Sequence, residues 1–219
     1  MVVPSKVLVV CLSYSCCNFA ADMKKIILPV IVLAMTTTTN AQNVQNKATT
    51  TNSLQLVQEW DKTFPKSDKV RHEKVTFRNR FGITLAADLY MPNEGEAKLA
   101  AIAVSGPFGA VKEQASGLYA QRLAEDGFLT IAFDPSFTGE SGGEPRYSSS
   151  MDINTEDFCA AVDYLSCRDD VDADRIGILG ICGWGGIALN AAALDPRIKA
   201  TVSVTLYNLT RVTQQGYFD

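Results

Sequence analysis

The sequence has a single histidine, His72, and none among the 37 residues that follow Cys182. A metal site built on several His ligands is excluded by that count, and no Cys or His pair has ligand spacing. Long apolar runs are also missing. The most apolar stretch of the leader, residues 26–35, is ten residues long, about half of what crosses a bilayer. There is no basic run, and 20 Lys and Arg stand against 24 Asp and Glu for a net charge of −4. That balance argues against nucleic acid or an anionic membrane surface as partner. Neither G-x-G-x-x-G nor a Gly-Lys-Ser/Thr loop occurs, so no nucleotide cofactor is expected. No metal or other cofactor is expected either.

What is present begins with a leader. Met23, Lys24 and Lys25 form a basic start, residues 26–35 an apolar core, and residues 36–41 a small-residue stretch ending at Ala41. This is the order of a secretory signal, with cleavage expected before Gln42 and a periplasmic or secreted product. Residues 1–22 precede a natural start at Met23 and read as an over-called translation start; the alternative is a single long signal-anchor covering 1–41. Removing residues 1–41 takes away three Lys and one Asp, leaving 17 basic and 23 acidic residues, or −6. No membrane association is expected after cleavage. Of the remaining cysteines, Cys159 and Cys167 are eight apart in a helical pattern, about 12 Å along the axis. A disulfide needs Cα atoms within about 7 Å, so these two are expected in the core and unpaired.

Residues 42–69 read as a polar lead-in followed by a short helix over 54–64, with Leu54, Val57, Trp60 and Phe64 on one side. Two strands joined by a hairpin turn are expected at 70–77 and 83–90. From there strands and helices alternate: strand 99–104, helix 113–126, strand 129–133, a Gly- and Ser-rich loop 134–150, and a helix capped by Thr155 to 166. Then come strand 176–181, helix 183–194, strand 199–206 and a short helical tail over 210–217. Such alternation predicts an α/β fold, with a mainly parallel sheet and helices on both faces.

The stretch that carries chemistry is Gly180-Ile181-Cys182-Gly183-Trp184-Gly185-Gly186. A buried strand runs into a sharp turn bearing one Cys and then into a helix of small residues. That is how a nucleophile is mounted on a strand-to-helix elbow, with Cys182 in the place of Ser in G-x-S-x-G. Trp184 stands where the second Gly of that pattern belongs, which makes a tight turn sterically difficult. Either the backbone there is slightly opened, or the indole swings outward and lines the pocket. Read alone, the stretch also fits a glycine-rich packing joint around an inert Cys. The loop Ser105-Gly106-Pro107-Phe108-Gly109-Ala110 follows the first strand of the alternating region. Pro107 has no N–H, so Phe108 is the candidate oxyanion donor on that side, with Gly183 on the other. Glu113 opens the next helix, where a carboxylate is favourable, and is a candidate to poise Cys182. The loop 134–143 is expected to shape the site without reacting, and His72 to be structural.

Together, residues 106–114, 133–143 and 180–186 resemble the α/β-hydrolase superfamily, and more closely its dienelactone-hydrolase-like branch. The resemblance runs from about residue 70 to the end. It implies hydrolysis of an ester, lactone or similar acyl bond of a small-molecule substrate, through a Cys nucleophile and a covalent acyl-enzyme. Such enzymes carry their acid and His on later loops, in the chain order nucleophile, acid, His. The expectation is therefore a partial domain, residues 70–219, that lacks the last strands, the acid and the His, and is inactive alone. The alternative is a non-catalytic α/β-hydrolase-fold binding module or inactive remnant. An uncovered strand at 199–206 would favour self-association through the sheet edge.

Overall fold

Leu129-Thr130-Ile131-Ala132-Phe133 shows how the sheet is built. Its side chains alternate between two cores, as a strand covered on both faces requires. Ile131 and Phe133 meet Phe158, Leu165 and Ile178 on one side, while Ala132 meets Ala120, Ala124 and Val104 on the other. Each large apolar side chain buried in this way contributes about 1.5–3 kcal/mol.

The computed structural model describes residues 8–10, 54–95 and 97–216. One compact unit takes in residues 1–12 and 54–219, and a second covers 13–53. The signal reading at 23–41 and the cleavage point at Gln42 lie outside the described residues. The elements are β1 (Leu8–Val10), β2 (Val70–Arg78), β3 (Thr84–Pro92), β4 (Leu99–Ser105), α1 (Ala115–Glu125), β5 (Leu129–Phe133) and α2 (Met151–Ser166). They continue with β6 (Val171–Ile181), α3 (Gly183–Leu194), β7 (Ile198–Val204) and α4 (Leu209–Gln215). The strand order is β1-β7-β6-β4-β5-β3-β2.

The α/β fold with helices on both faces is as expected. Helix α1 packs on one face, and α2 and α3 on the other. The sheet is parallel where it matters for the site, in the block β5-β4-β6-β7. On either side of that block the pairing is antiparallel, from β5 to β3 to β2 and from β7 to β1.

Three expectations are corrected. Residues 54–64 form no helix. Their spacing reflects real burial, since Phe64 is in the core with Trp60 packed against it, but the backbone donors go elsewhere. The Val57 amide donates to Glu140 Oε1 at 2.7 Å and the Thr63 amide to the Glu113 carbonyl at 3.0 Å. The segment is a strap laid across the domain. Helix α2 begins at Met151, with Ser150 rather than Thr155 as its cap. The Ser150 hydroxyl accepts from the Ile153 amide, and Asn154 Oδ1 accepts from the Ser150 amide, which satisfies donors a helix start leaves open. Finally, β7 is not bare: Leu8, Val9 and Val10 pair antiparallel with Ser203, Val202 and Thr201. Among the described residues no helix is long and apolar enough to cross a membrane.

Candidate active site

Strand β6 delivers Cys182 to the C-terminal edge of the parallel block, where open α/β sheets place their ligands. The Cys182 amide donates to the Val204 carbonyl of β7 at 2.8 Å, and its own carbonyl accepts from the Gly185 amide at 3.0 Å. Between these anchors the backbone takes φ 60° and ψ −126°. Non-glycine residues avoid this region, and strain of this kind collects at functional sites. Half-buried Cys182 takes the N-cap position of a twelve-residue helix without a side-chain cap hydrogen bond, and the helix N-terminus favours negative charge.

The close joint depends on glycines. A methyl group on Gly180 would lie 2.2 Å from the Trp184 carbonyl oxygen and 2.8 Å from Ala188 Cβ. Trp184 is accommodated by a glycine on the opposite wall. A methyl on Gly106 would meet Trp184 Cβ at 2.8 Å and the Ile181 carbonyl oxygen at 2.5 Å. The small residue that the elbow pattern places at 184 is thus supplied across the joint. Of the two alternatives for Trp184, the outward swing of the indole does not occur. The indole is buried in the core, 3% exposed, with its ring 5.5 Å from that of Phe108.

Phe108 and Gly183 are brought together: a methyl on Gly183 would lie 3.6 Å from Phe108 Cβ. Among the described residues neither amide donates to a protein acceptor. Phe108 and Gly183, from two loops, thus meet beside Cys182. Phe108 is half exposed and walls a cavity of about 500 Å³ with Ser149, Met151 and Thr210. A second cavity of about 330 Å³ shares Met151 and Thr210 and continues along α3 past Gly186 and Leu189. Another cavity, of about 710 Å³, is lined by Leu194, Asp195, Pro196 and Arg197. It sits at the far end of α3, away from the elbow.

Glu113 is not at Cys182. Its carboxylate pairs with Lys112 and, at 3.6 Å, with Lys74. It belongs to a buried ionic cluster that sequence reading missed, because lysines and acids far apart in sequence read as solvated surface. Lys112 donates from its amide to Asp134 Oδ1 at 2.7 Å and from Nζ to Asp134 Oδ2 at 3.1 Å. Its Nζ also reaches Glu140 at 2.6 Å, and the Glu140 amide donates to Asp134 at 2.9 Å. Burial works against the Lys112 charge, but Asp134, Glu113 and Glu140 hold the ammonium above the ordinary lysine range. Burial pushes the Asp134 carboxyl up to about 6, against the pull of Lys112 and the two amides. The loop carrying Phe108 is fixed at its end by this knot, so the expected shaping role of residues 134–143 has a physical basis.

The strap closes over the same cluster. Lys74 pairs with Asp61 at 3.0 Å and Glu140 at 2.9 Å, and Lys62 with Asp88 at 3.0 Å. His72 lies on β2, its Nε2 2.8 Å from Asp88 Oδ1 and its ring 5.1 Å from Trp60. It is a structural residue, held on the opposite side of the sheet order from β6. Among the described residues no group of His, Cys, Asp and Glu is placed to hold a metal ion. Cys159 and Cys167 are unpaired, but Cys159 is half-buried and Cys167, at the end of α2, is exposed and not in the core as expected.

The chain is 63% identical over 180 residues to the uncharacterized protein PA2218 of Pseudomonas aeruginosa, covering 82% of this chain and 48% of that one. The crystal structure of PA2218 superposes with a TM-score of 0.75, at 66% identity, over 76% of this chain and 52% of that one. The uncharacterized protein YcjY of Escherichia coli K12 is 45% identical over 150 residues, 67% of this chain and 49% of that one. The α/β hydrolase GrgF from Penicillium sp. sh18 superposes with a TM-score of 0.58 at 26% identity, over 66% and 50% of the two chains. The chain thus spans about half the length of the curated relatives it matches. The superfamily is the one that the motifs implied, and the branch is named by a match to X-Pro dipeptidyl-peptidase (S15 family) over residues 82–216. With its elbow, its parallel block and this match, the chain belongs to the S15 family of α/β hydrolases.

Proposed function

We propose that this chain carries the nucleophile and oxyanion site of an acyl hydrolase that acts on an ester, lactone or similar bond of a small molecule. The observation that carries the reading is Cys182, held at φ 60° on a strand-to-helix elbow where Gly183 and Phe108 come together. Cys182 Sγ adds to the carbonyl carbon, the oxygen takes up the charge facing the two amides, and the leaving group departs to give a thioester. Water then releases the acid. The cavities beside Phe108 and along α3 would take the acyl or leaving group. The leader pattern at 23–41 supports an exported enzyme.

Both water attack and thiol deprotonation call for a base. Among the described residues the chain's one imidazole is tied to Asp88 on β2. We therefore propose that this chain acylates slowly and hardly turns over. The same observation favours a second reading, a binding module that keeps the fold without the chemistry. Excess p-nitrophenyl acetate separates the two. The hydrolase reading expects up to one equivalent of p-nitrophenolate per chain and an acetyl group on Cys182 by mass spectrometry, both lost in Cys182→Ala. A thiol that stays free in folded protein would establish the module reading instead.

A further inference from the structure

The loop that carries Phe108 is fastened at its two ends. At its start Gly106 is seated on the elbow, where a methyl would lie 2.5 Å from the Ile181 carbonyl oxygen. From Pro107 to Val111, among the described residues, the backbone bonds only within the loop and to the helix cap Gln114. The Ala110 amide donates to the Pro107 carbonyl at 3.1 Å, and the Val111 amide to Gln114 Oε1 at 3.4 Å. The far end is tied down at Lys112 and Glu113. What holds those two residues therefore sets where Phe108 stands against Gly183.

The strap at 54–64 reaches both. The Thr63 amide and hydroxyl donate to the Glu113 carbonyl at 3.0 and 3.3 Å, a direct link from strap to loop. A second link is ionic. Asp61 pairs with Lys74 at 3.0 Å, and Lys74 with Glu140 at 2.9 Å and Glu113 at 3.6 Å. One oxygen of Glu140 accepts from Lys112 Nζ at 2.6 Å and the other from the Val57 amide at 2.7 Å. The Lys74 and Lys112 side chains are 4% and 0% exposed, so water and salt screen these pairs weakly.

We propose that the strap is a positioning element of the acyl-transfer site and Asp61 its positioning residue, holding the Phe108 loop against Gly183 through Lys74, Glu140 and Lys112. The inference rests on the acyl-transfer reading above. Asp61 touches no reacting atom. An oxyanion donor works at about 2.7–3.1 Å from its oxygen, and a shift of about 1 Å caused from a distance can cost about a hundredfold in rate. A segment with no part in the elbow thus governs the reaction at Cys182.

Two reagents distinguish this role from general packing. p-Nitrophenyl acetate builds charge on a carbonyl oxygen, whereas iodoacetamide alkylates the same thiol at a saturated carbon and needs no such donor. Full-length protein, Asp61→Asn and Asp61→Glu would be compared for both rates at Cys182, read by mass spectrometry. Strap docking would be followed by trypsin cleavage after Lys62, whose side chain is buried in the docked strap. Asp61→Asn should open the strap to trypsin and slow acylation about tenfold, part of what a full ångström would cost. Asp61→Glu restores the carboxylate and should recover most of the rate, while alkylation stays at the wild-type rate in both. Wild-type acylation in Asp61→Asn overturns the inference: with the strap open the loop does not need it, and with the strap shut Asp61 does not hold it. Parallel losses in both rates show a loosened elbow and overturn it too, as does an Asp61→Glu protein that is shut to trypsin yet as slow as Asp61→Asn. Wild-type protein that takes the alkyl but no acyl group refutes the acyl-transfer reading itself, whereas an acylating wild type with indifferent variants refutes this inference alone.

Discussion

Cys182 occupies backbone torsions that only glycine enters freely, and holding another residue there costs about 1–3 kcal/mol. The surrounding joint maintains that strain through the Val204 and Gly185 hydrogen bonds. Replacing Cys182 with Gly should relieve it while deleting the thiol. Glycine also adds about 0.5–1 kcal/mol of freedom to the unfolded chain, so the net gain should be about 1 kcal/mol. Cys182→Ala keeps the strained torsions and should show no comparable gain. Denaturant melts of the two variants against wild type check this. Equal stabilities for Gly and Ala would mean that the elbow stores no strain.

Among the elements, the strap at 54–64 is the one held by charge instead of backbone ladders. Burial works against the Asp61 carboxylate, but hydrogen bonds and charge from Lys62 and Lys74 hold it down to about 2, below the ordinary 3.8. Because the folded value is the lower one, the strap's gain from Asp61 is complete above about pH 4. It is lost as pH falls from 3.8 toward 2. The fluorescence of Trp60, read in a Trp184→Phe background, should report undocking in that window. Asp61→Asn should begin less docked at neutral pH and show a flatter response to acid. Identical acid profiles would remove Asp61 from the docking. The elements that could be read in advance were those with one dominant force. Continuous apolar runs placed β4 and β5, and the glycine-rich turn placed Cys182 and Gly183. The strap and the ionic knot around Lys112 and Asp134 were illegible for a shared reason. Each depends on partners far away in sequence, 83 residues in the case of Val57 and Glu140, and such pairings have no local period. The place of Trp184 was illegible for the same reason, since the glycine that makes room for it is at 106.

At the scale of the whole molecule, the sheet ends on one side at β2 and on the other at β1. The strand β1 comes from residues 8–10, inside the stretch whose sequence reads as leader. Its three residues satisfy backbone groups of Thr201, Val202 and Ser203 in a β-rich run that neither Pro nor Lys interrupts. Protein beginning at Gln42 should therefore associate more readily than protein beginning at Met1. Light scattering on the two forms across a concentration series checks this, and equal masses at every concentration would show that β1 shields nothing. The pairing gives the choice of start a bearing on the sheet as well. A form that begins at Met23 or later would lack this edge strand. The start would then act as an unveiling: the longer form carries that side of its sheet closed, and the shorter form presents it to whatever strand reaches it next.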